Sequence, residues 1–131
     1  MKRVLTFGTF DLFHYGHLLI LERASKLGDE LYVGVSSDEF SQHKKGHKPL
    51  YTQEERMHII SSLGCVNGVF LEEAMEKKRE YLLQYRASLL VMGHDWSGKF
   101  DEFDDICQIV YLPRTPLIST TEIISRIKLE Y

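Results

Sequence analysis

Short β-rich runs and longer amphipathic stretches alternate along this chain of 131 residues, and that alternation narrows its possible architectures more than any other feature. Arg3–Phe7 reads as a buried strand (Val4, Leu5, Phe7) closed by Gly8. Leu18, Leu19, Leu21, Ala24 and Leu27 then recur at helical spacing, with Gly28 as the stop. Leu31–Ser36 is a second strand. Thr52-Gln53-Glu54-Glu55 matches a capping box ahead of Met57, Ile59, Ile60 and Leu63 on one helical face. Val66–Leu71 is a third strand, Glu72–Arg86 a charged helix, Ser88–Met92 a fourth strand and Ile106–Leu112 a fifth, ended by Pro113. Ser119-Thr120-Thr121-Glu122 is a second capping box, opening a last helix through Ile123, Ile124 and Ile127. Such alternation predicts an α/β fold, a parallel sheet with helices on both faces.

Length and composition bound the rest. With 44% apolar and 27% charged residues the chain reads as one globular domain, residues 1–131. No apolar run approaches the ~18 residues of a membrane helix, so no membrane insertion is expected. The start of the chain meets an acid, Asp11, too early for a secretory signal. Cys65 and Cys107 fit neither a metal spacing nor a disulfide framework, which suits a reducing cytoplasmic setting. The net charge of −3 argues against nucleic acid as a partner. Any polyanion held here must meet a local cluster of cations.

Ligands of such sheets bind beyond the carboxyl ends of the strands. Those ends are Gly8–His17, Ser36–Lys48, Gly93–Trp96 and Pro113–Thr121, and the polar residues most in need of explanation fall in them. In the first, Gly8 and Gly16 permit close backbone approach. A helix starting near His14 or Gly16 offers unpaired N–H groups suited to phosphate. His14 and His17 are three apart, so both imidazoles face one side and can stabilise developing negative charge. Two satisfied histidines on a helix cap are the plainer alternative. Zinc would need a third ligand and a different spacing, so no metal ligands are assigned.

The second segment holds His43-Lys44-Lys45-Gly46-His47-Lys48, basic groups on both sides of a Gly in what reads as a loop. It is either a solvated lysine loop or a clamp for phosphates. Lys77-Lys78-Arg79 reads first as a solvated helix face, and Arg56 as a surface arginine. In the fourth segment Arg114 can fork two donors onto phosphate, and the cap of the last helix can add its own. Trp96 either stacks on a ligand or packs.

Gly8-Thr9-Phe10-Asp11 with His14-Tyr15-Gly16-His17 resembles the H-x-G-H signature of the cytidylyltransferase-like nucleotidyltransferases. Arg114-Thr115 with Ile118-Ser119-Thr120-Thr121 narrows the resemblance to the cytidylyl branch. Gly93 through Trp96 and Gly98-Lys99-Phe100-Asp101 point to the glycerol-3-phosphate cytidylyltransferases, and the similarity runs from end to end. The resemblance implies a Rossmann-like five-stranded parallel sheet in the order 3-2-1-4-5, a homodimer, and Mg²⁺ accompanying CTP. It implies transfer of CMP from CTP to glycerol 3-phosphate, giving CDP-glycerol and pyrophosphate by in-line attack on the α-phosphorus. The product would feed a teichoic-acid-like or capsular polymer. Positioning and charge stabilisation, rather than covalent catalysis, would do the work.

Residue by residue, the resemblance makes His14, His17, Lys45 and Arg114 catalytic. It assigns to CTP Gly8, Thr9, Phe10, Asp11, Gly16, His47, Lys48, His94, Asp95, Thr115, Ile118, Ser119, Thr120 and Thr121, besides both histidines and Arg114. Lys44, Lys45, Arg56, Lys78 and Trp96 fall to the phosphorylated alcohol. The chain departs from the pattern at His47, where the relatives carry lysine, and at His94, where they carry an acid. Another small polyol- or amino-alcohol-phosphate acceptor, or a nucleotide-binding domain without turnover, are the alternative readings.

Overall fold

The computed structural model describes residues 1–114 and 119–131. Its frame is one parallel sheet of five strands: β1 (Arg3–Gly8), β2 (Glu30–Ser36), β3 (Gly68–Glu72), β4 (Leu89–Gly93) and β5 (Gln108–Leu112). They lie in the order β3-β2-β1-β4-β5, as the resemblance implies. The sheet switches direction of growth at β1, where Gly8 sits opposite Val35 of β2 and Leu5 opposite Leu90 of β4. A crevice at the carboxyl ends of β1 and β4 follows from that switch.

Successive strand residues feed two cores, one on each face. Val4, Leu31, Val33, Val35 and Val91 face the side covered by helix α1 (Tyr15–Ser25) and helix α3 (Gln53–Ser61), which contribute Leu21, Ala24 and Ile60. Leu5, Phe7, Phe70, Leu90 and Met92 face the other side, where helix α4 (Lys78–Gln84) brings Tyr81 and Leu82, and Phe100 and Phe103 close the layer. Both cysteines are free thiols. No helix among the described residues is long and apolar enough to cross a membrane.

Several boundaries depart from the sequence reading. Helix α1 stops at Ser25, so Leu27 lies beyond it and is partly exposed. Gly28 serves the packing instead: a Cβ there would stand 2.8 Å from Val4 and 2.9 Å from the Lys2 carbonyl. The basic loop expected at 43–48 is in its first half helical. Helix α2 spans Asp38–Lys45, capped by the Ser37 hydroxyl accepting from Phe40 N, and ends at Gly46 with φ 81°. Only Phe40 and Ser41 of α2 are buried, which left little apolar period to read. Glu72 ends β3, opposite Ser36, rather than opening a helix. A 3₁₀ turn at Met75–Lys77 then leads into α4. Strand β5 starts two residues later than expected, because a 3₁₀ turn at Asp101–Asp105 buries Phe103 just before it. The Thr52 capping box forms in full. At helix α5 (Thr120–Glu130) Ser119 caps Glu122 N at 3.1 Å.

Candidate active site

The turn between β1 and α1 holds the first part of the site. Phe10 and Leu12 adopt left-handed backbone, at φ 56° and 50°, which side-chain-bearing residues rarely do. Such strain costs on the order of 1–3 kcal/mol per residue and persists where the surroundings fix it. Here Phe10 folds its ring back over Gly8, where a Cβ would stand 2.8 Å from the ring carbons. Asp11 anchors the turn by accepting from Leu50 N at 2.8 Å and Tyr51 N at 3.0 Å.

His14 caps α1. Its Nδ1 accepts from Gly16 N at 3.0 Å, and His17 Nδ1 accepts from His14 N at 3.3 Å. The two rings stack with centroids 3.8 Å apart. Capping and the proposed chemistry are therefore compatible. With both Nδ1 atoms accepting, the neutral rings carry their protons on Nε2, at the edge away from the backbone. Burial, then the neighbouring His14 and the Lys45 charge, hold the His17 pKa down at about 3, and burial lowers that of His14. Both are neutral donors near pH 7, able to bond a phosphate oxygen without a proton transfer.

Cations come from α2 and α4. Lys44 Nζ donates to Ser36 Oγ at 3.0 Å and lies 4.5 Å from the Phe40 ring centroid. Burial lowers its pKa to about 8 against the opposing pull of Glu72. Lys78, expected on a solvated face, is instead only 2% exposed. It reaches Glu72 Oε2 at 2.5 Å with its ammonium 3.6 Å from the Phe7 ring centroid.

Arg56 corrects the sequence reading most clearly. It is neither a surface residue nor presented to a ligand: its side chain is wholly buried. It donates to Thr9 O, Ser36 O, Tyr51 O and Asp38 Oδ1 at 2.7, 2.8, 3.0 and 2.7 Å. It ties the β1–α1 turn, the end of β2 and the start of α2 to α3, and so positions the site from below.

Three cavities run together over these residues. One of about 560 Å³ is walled by Gly8, Thr9, Phe10, Asp11, His17, Lys45, His47, Thr120 and Thr121. It shares His17 and Thr120 with a second of about 250 Å³, walled also by His14, Gly16, His94, Asp95, Arg114 and Ser119. It shares Gly8, Thr9 and Lys45 with a third of about 160 Å³, where Lys44, Glu72, Lys78, Trp96 and Phe100 meet. Trp96 both packs on Phe100, centroids 5.3 Å apart, and lines that third cavity. Arg114 is paired with Asp95 at the rim, both side chains more than half exposed. Such exposed pairs are worth roughly 0–1 kcal/mol, so an incoming phosphate can take the guanidinium over.

Nearly all the sequence-predicted residues are thus gathered at one rim. Lys48 lines none of the three cavities; its carbonyl instead meets His47 Nδ1 at 3.1 Å. Thr115 and Ile118 lie outside the described residues. Sequence reasoning missed Ser36, Glu72 and Asp38. Ser36 was named only as the edge of a strand end, and Glu72 was absorbed into a helix. An acid closing the apolar run Val66–Leu71 was the available signal, because a buried strand end that finishes on a carboxylate calls for a cation.

Comparison with known proteins points the same way. The cytidylyltransferase-like family model matches residues 5–126. The chain is 47% identical over 125 residues to a glycerol-3-phosphate cytidylyltransferase of Bacillus spizizenii, covering 94% of this chain and 95% of that one. To the Staphylococcus aureus protein of the same name it is 45% identical over 125 residues, covering 94% and 92%. Among solved structures, a lipopolysaccharide core biosynthesis protein from Thermoplasma volcanium GSS1 superposes with a TM-score of 0.76 at 27% identity, covering 88% of this chain and 98% of that one.

Proposed function

Because the chain belongs to the cytidylyltransferase-like family, we propose that it transfers CMP from CTP to glycerol 3-phosphate, releasing pyrophosphate and forming CDP-glycerol. One observation carries the assignment of roles. Two neutral imidazoles sit with Lys45 on one side and Arg114 on the other, at the junction of cavities that open onto the N-termini of both α1 and α5. Donors of that kind, already oriented by backbone hydrogen bonds, suit a triphosphate whose negative charge grows during reaction.

The chemistry asks little covalent work of the protein. An oxygen of the acceptor phosphate attacks the α-phosphorus, and the bond to the β-phosphate oxygen breaks as pyrophosphate leaves. His14 and His17 hold phosphoryl oxygens by Nε2–H. Lys45, on the wall between the cavities of about 560 and 160 Å³, bridges CTP and acceptor. The cavity of about 250 Å³, with His94, Asp95 and Arg114, takes the remainder of the nucleotide. Lys44, Lys78 and Trp96 surround the acceptor. The described residues contain no group of three His, Cys, Asp or Glu side chains able to cage a metal. Asp11 is already used by two backbone N–H groups. Mg²⁺ belongs to this reading as the companion of the CTP phosphates, which would hold it together with water.

A homodimer working in the cytoplasm is part of the same proposal. It rests on the family resemblance, and sedimentation of the purified chain tests the dimer. The reaction is tested by supplying each of the four nucleoside triphosphates with glycerol 3-phosphate and measuring pyrophosphate. Release with CTP alone is expected, and silence with CTP sinks the reading. A screen of other phosphorylated alcohols by kcat/KM decides the acceptor.

A further inference from the structure

The residue that joins the two lysines of the smallest cavity is Glu72, at the end of β3. It is 1% exposed, and each carboxylate oxygen is used. Oε2 accepts from Lys78 Nζ at 2.5 Å. Oε1 faces the Ser36 hydroxyl at 3.4 Å, and that hydroxyl in turn accepts from Lys44 Nζ at 3.0 Å. Ser36 is itself fully buried, and its position is fixed because its carbonyl accepts from Arg56 at 2.8 Å. The path Lys44–Ser36–Glu72–Lys78 thus links α2 to α4 through the adjacent ends of β2 and β3.

We infer that Glu72 is a positioning residue for the acceptor: it holds Lys78 directly and Lys44 through Ser36, and keeps the two ammonium groups that line this cavity charged. The inference rests on the proposed transfer to a phosphorylated alcohol and adds to it the origin of the pocket's charge. Lys78, 2% exposed and beside the Phe7 and Phe100 rings, has little water to stabilise its ammonium, whereas Lys44 is more open and lies over the Phe40 ring. Without an anion between them, repulsion and desolvation drive one to the neutral amine. With Glu72 the trio carries net +1, enough to attract a phosphate dianion and still be stable when empty. The positive charges acting on Lys44 are Lys45 on its own helix, Arg56 on α3 and Lys78 on α4. Glu39, Glu73 and Glu76 share with it the wall of a neighbouring cavity of about 960 Å³, and Glu72 is the carboxylate joined to it through Ser36.

The test is Glu72→Gln, which keeps the shape and removes the charge. Pyrophosphate release is measured against pH, varying glycerol 3-phosphate at saturating CTP and the reverse. In the parent protein kcat/KM for the acceptor is expected to fall on the alkaline side, because burial holds the Lys44 pKa down at about 8. In the variant that fall starts at least about one pH unit lower. The acceptor KM near neutral pH rises about tenfold while the CTP KM stays put. A merely structural glutamate would instead lower both substrates' kcat/KM alike at every pH and leave the alkaline limb where it was, and that result overturns the inference. Should Glu72→Gln fail to fold, Ser36→Ala cuts only the Lys44 arm. Here a raised acceptor KM with a normal melting curve is expected, and an unchanged one is equally fatal. Carbon-13 NMR titration of the Lys44 and Lys78 ε-carbons, parent against Glu72→Gln, reads the same effect without turnover. It separates failure of the inference from failure of the assigned reaction: the lysine titrations shift down whether or not glycerol 3-phosphate is the acceptor.

Discussion

Replacing Arg56 distinguishes a support beneath the site from a ligand of the substrate. Its guanidinium makes four hydrogen bonds, three to carbonyls and one to Asp38, from a side chain with no exposure. Charged hydrogen bonds are each worth roughly 1.5–3 kcal/mol, so four give a gross ceiling of about 6–12 kcal/mol. The desolvation of the guanidinium takes back a large part, and broken buried pairs typically lose about 3–5 kcal/mol. Arg56→Met fills the space but leaves the Thr9, Ser36 and Tyr51 carbonyls and the Asp38 carboxylate without this partner. The expected loss is therefore about 3–5 kcal/mol, or roughly 10–20 °C in Tm for a domain of this size. Arg56→Lys keeps a charge but cannot fork to four acceptors, and should fall between. Urea and thermal melts give the stability, and steady-state kinetics the KM values. Because the arginine anchors the turn carrying Thr9, kcat should fall along with stability. If Arg56→Met melted within about 1 kcal/mol of the parent while the acceptor KM rose tenfold or more, the supporting role would be wrong.

Three further outcomes follow from the same geometry. His14→Ala and His17→Ala should each lower the rate at saturating CTP more than tenfold, over about 1.4 kcal/mol of transition-state stabilisation; a smaller drop refutes that role. His17 also makes the fold acid-sensitive. Its pKa near 3 in the folded chain lies below its unfolded value of 6.5, so stability is complete above pH 6.5 and is lost as pH falls toward 3. By pH 5 the loss reaches up to about 2 kcal/mol in urea melts, and a His17→Gln variant with the same pH slope would contradict it. Gly8→Ala places a methyl 2.8 Å from the Phe10 ring. It should displace the strained turn and raise the CTP KM; an unaltered KM would show the turn to be indifferent to its packing.

Strand–helix alternation, His14 with His17, and Arg114 ahead of a capped helix were legible because each is local: a period, a spacing, a cap. The places where reading failed are those settled by long-range burial. Arg56 looks like any helix-surface arginine until the Thr9, Ser36 and Asp38 segments close around it. Lys78 sits in a run of three basic residues, yet α4 turns this one under the sheet to meet Glu72 and the Phe7 ring. Helix α2 was hidden because a mostly exposed helix carries little apolar period, although Ser37 followed by Asp38 and Glu39 was a serviceable start signal.

How a chain of net charge −3 can hold a triphosphate and a second phosphate follows from where its acids are spent. Around the three cavities, Asp11 is neutralised in effect by two backbone N–H donors, Glu72 by Lys78, and Asp95 by Arg114. Just beneath, Asp38 is held by Arg56. Asp11, Glu72 and Asp38 thereby stiffen the frame rather than repelling the ligand, while the exposed Asp95 yields its arginine to phosphate. What remains turned toward the cavities is the charge of Lys44 and Lys45, the imidazole edges, and the N-termini of α1 and α5. The sign of the field in a cleft is set by the charges that face it and by the low-dielectric walls that focus them, so the overall charge of the molecule is a poor guide to it. The same accounting separates the two exposed or buried cases experimentally. The Asp95–Arg114 pair lies in solvent and should yield to salt, whereas the Glu72–Lys78 pair, shielded by Phe7 and Phe100, should hold across the same range of ionic strength.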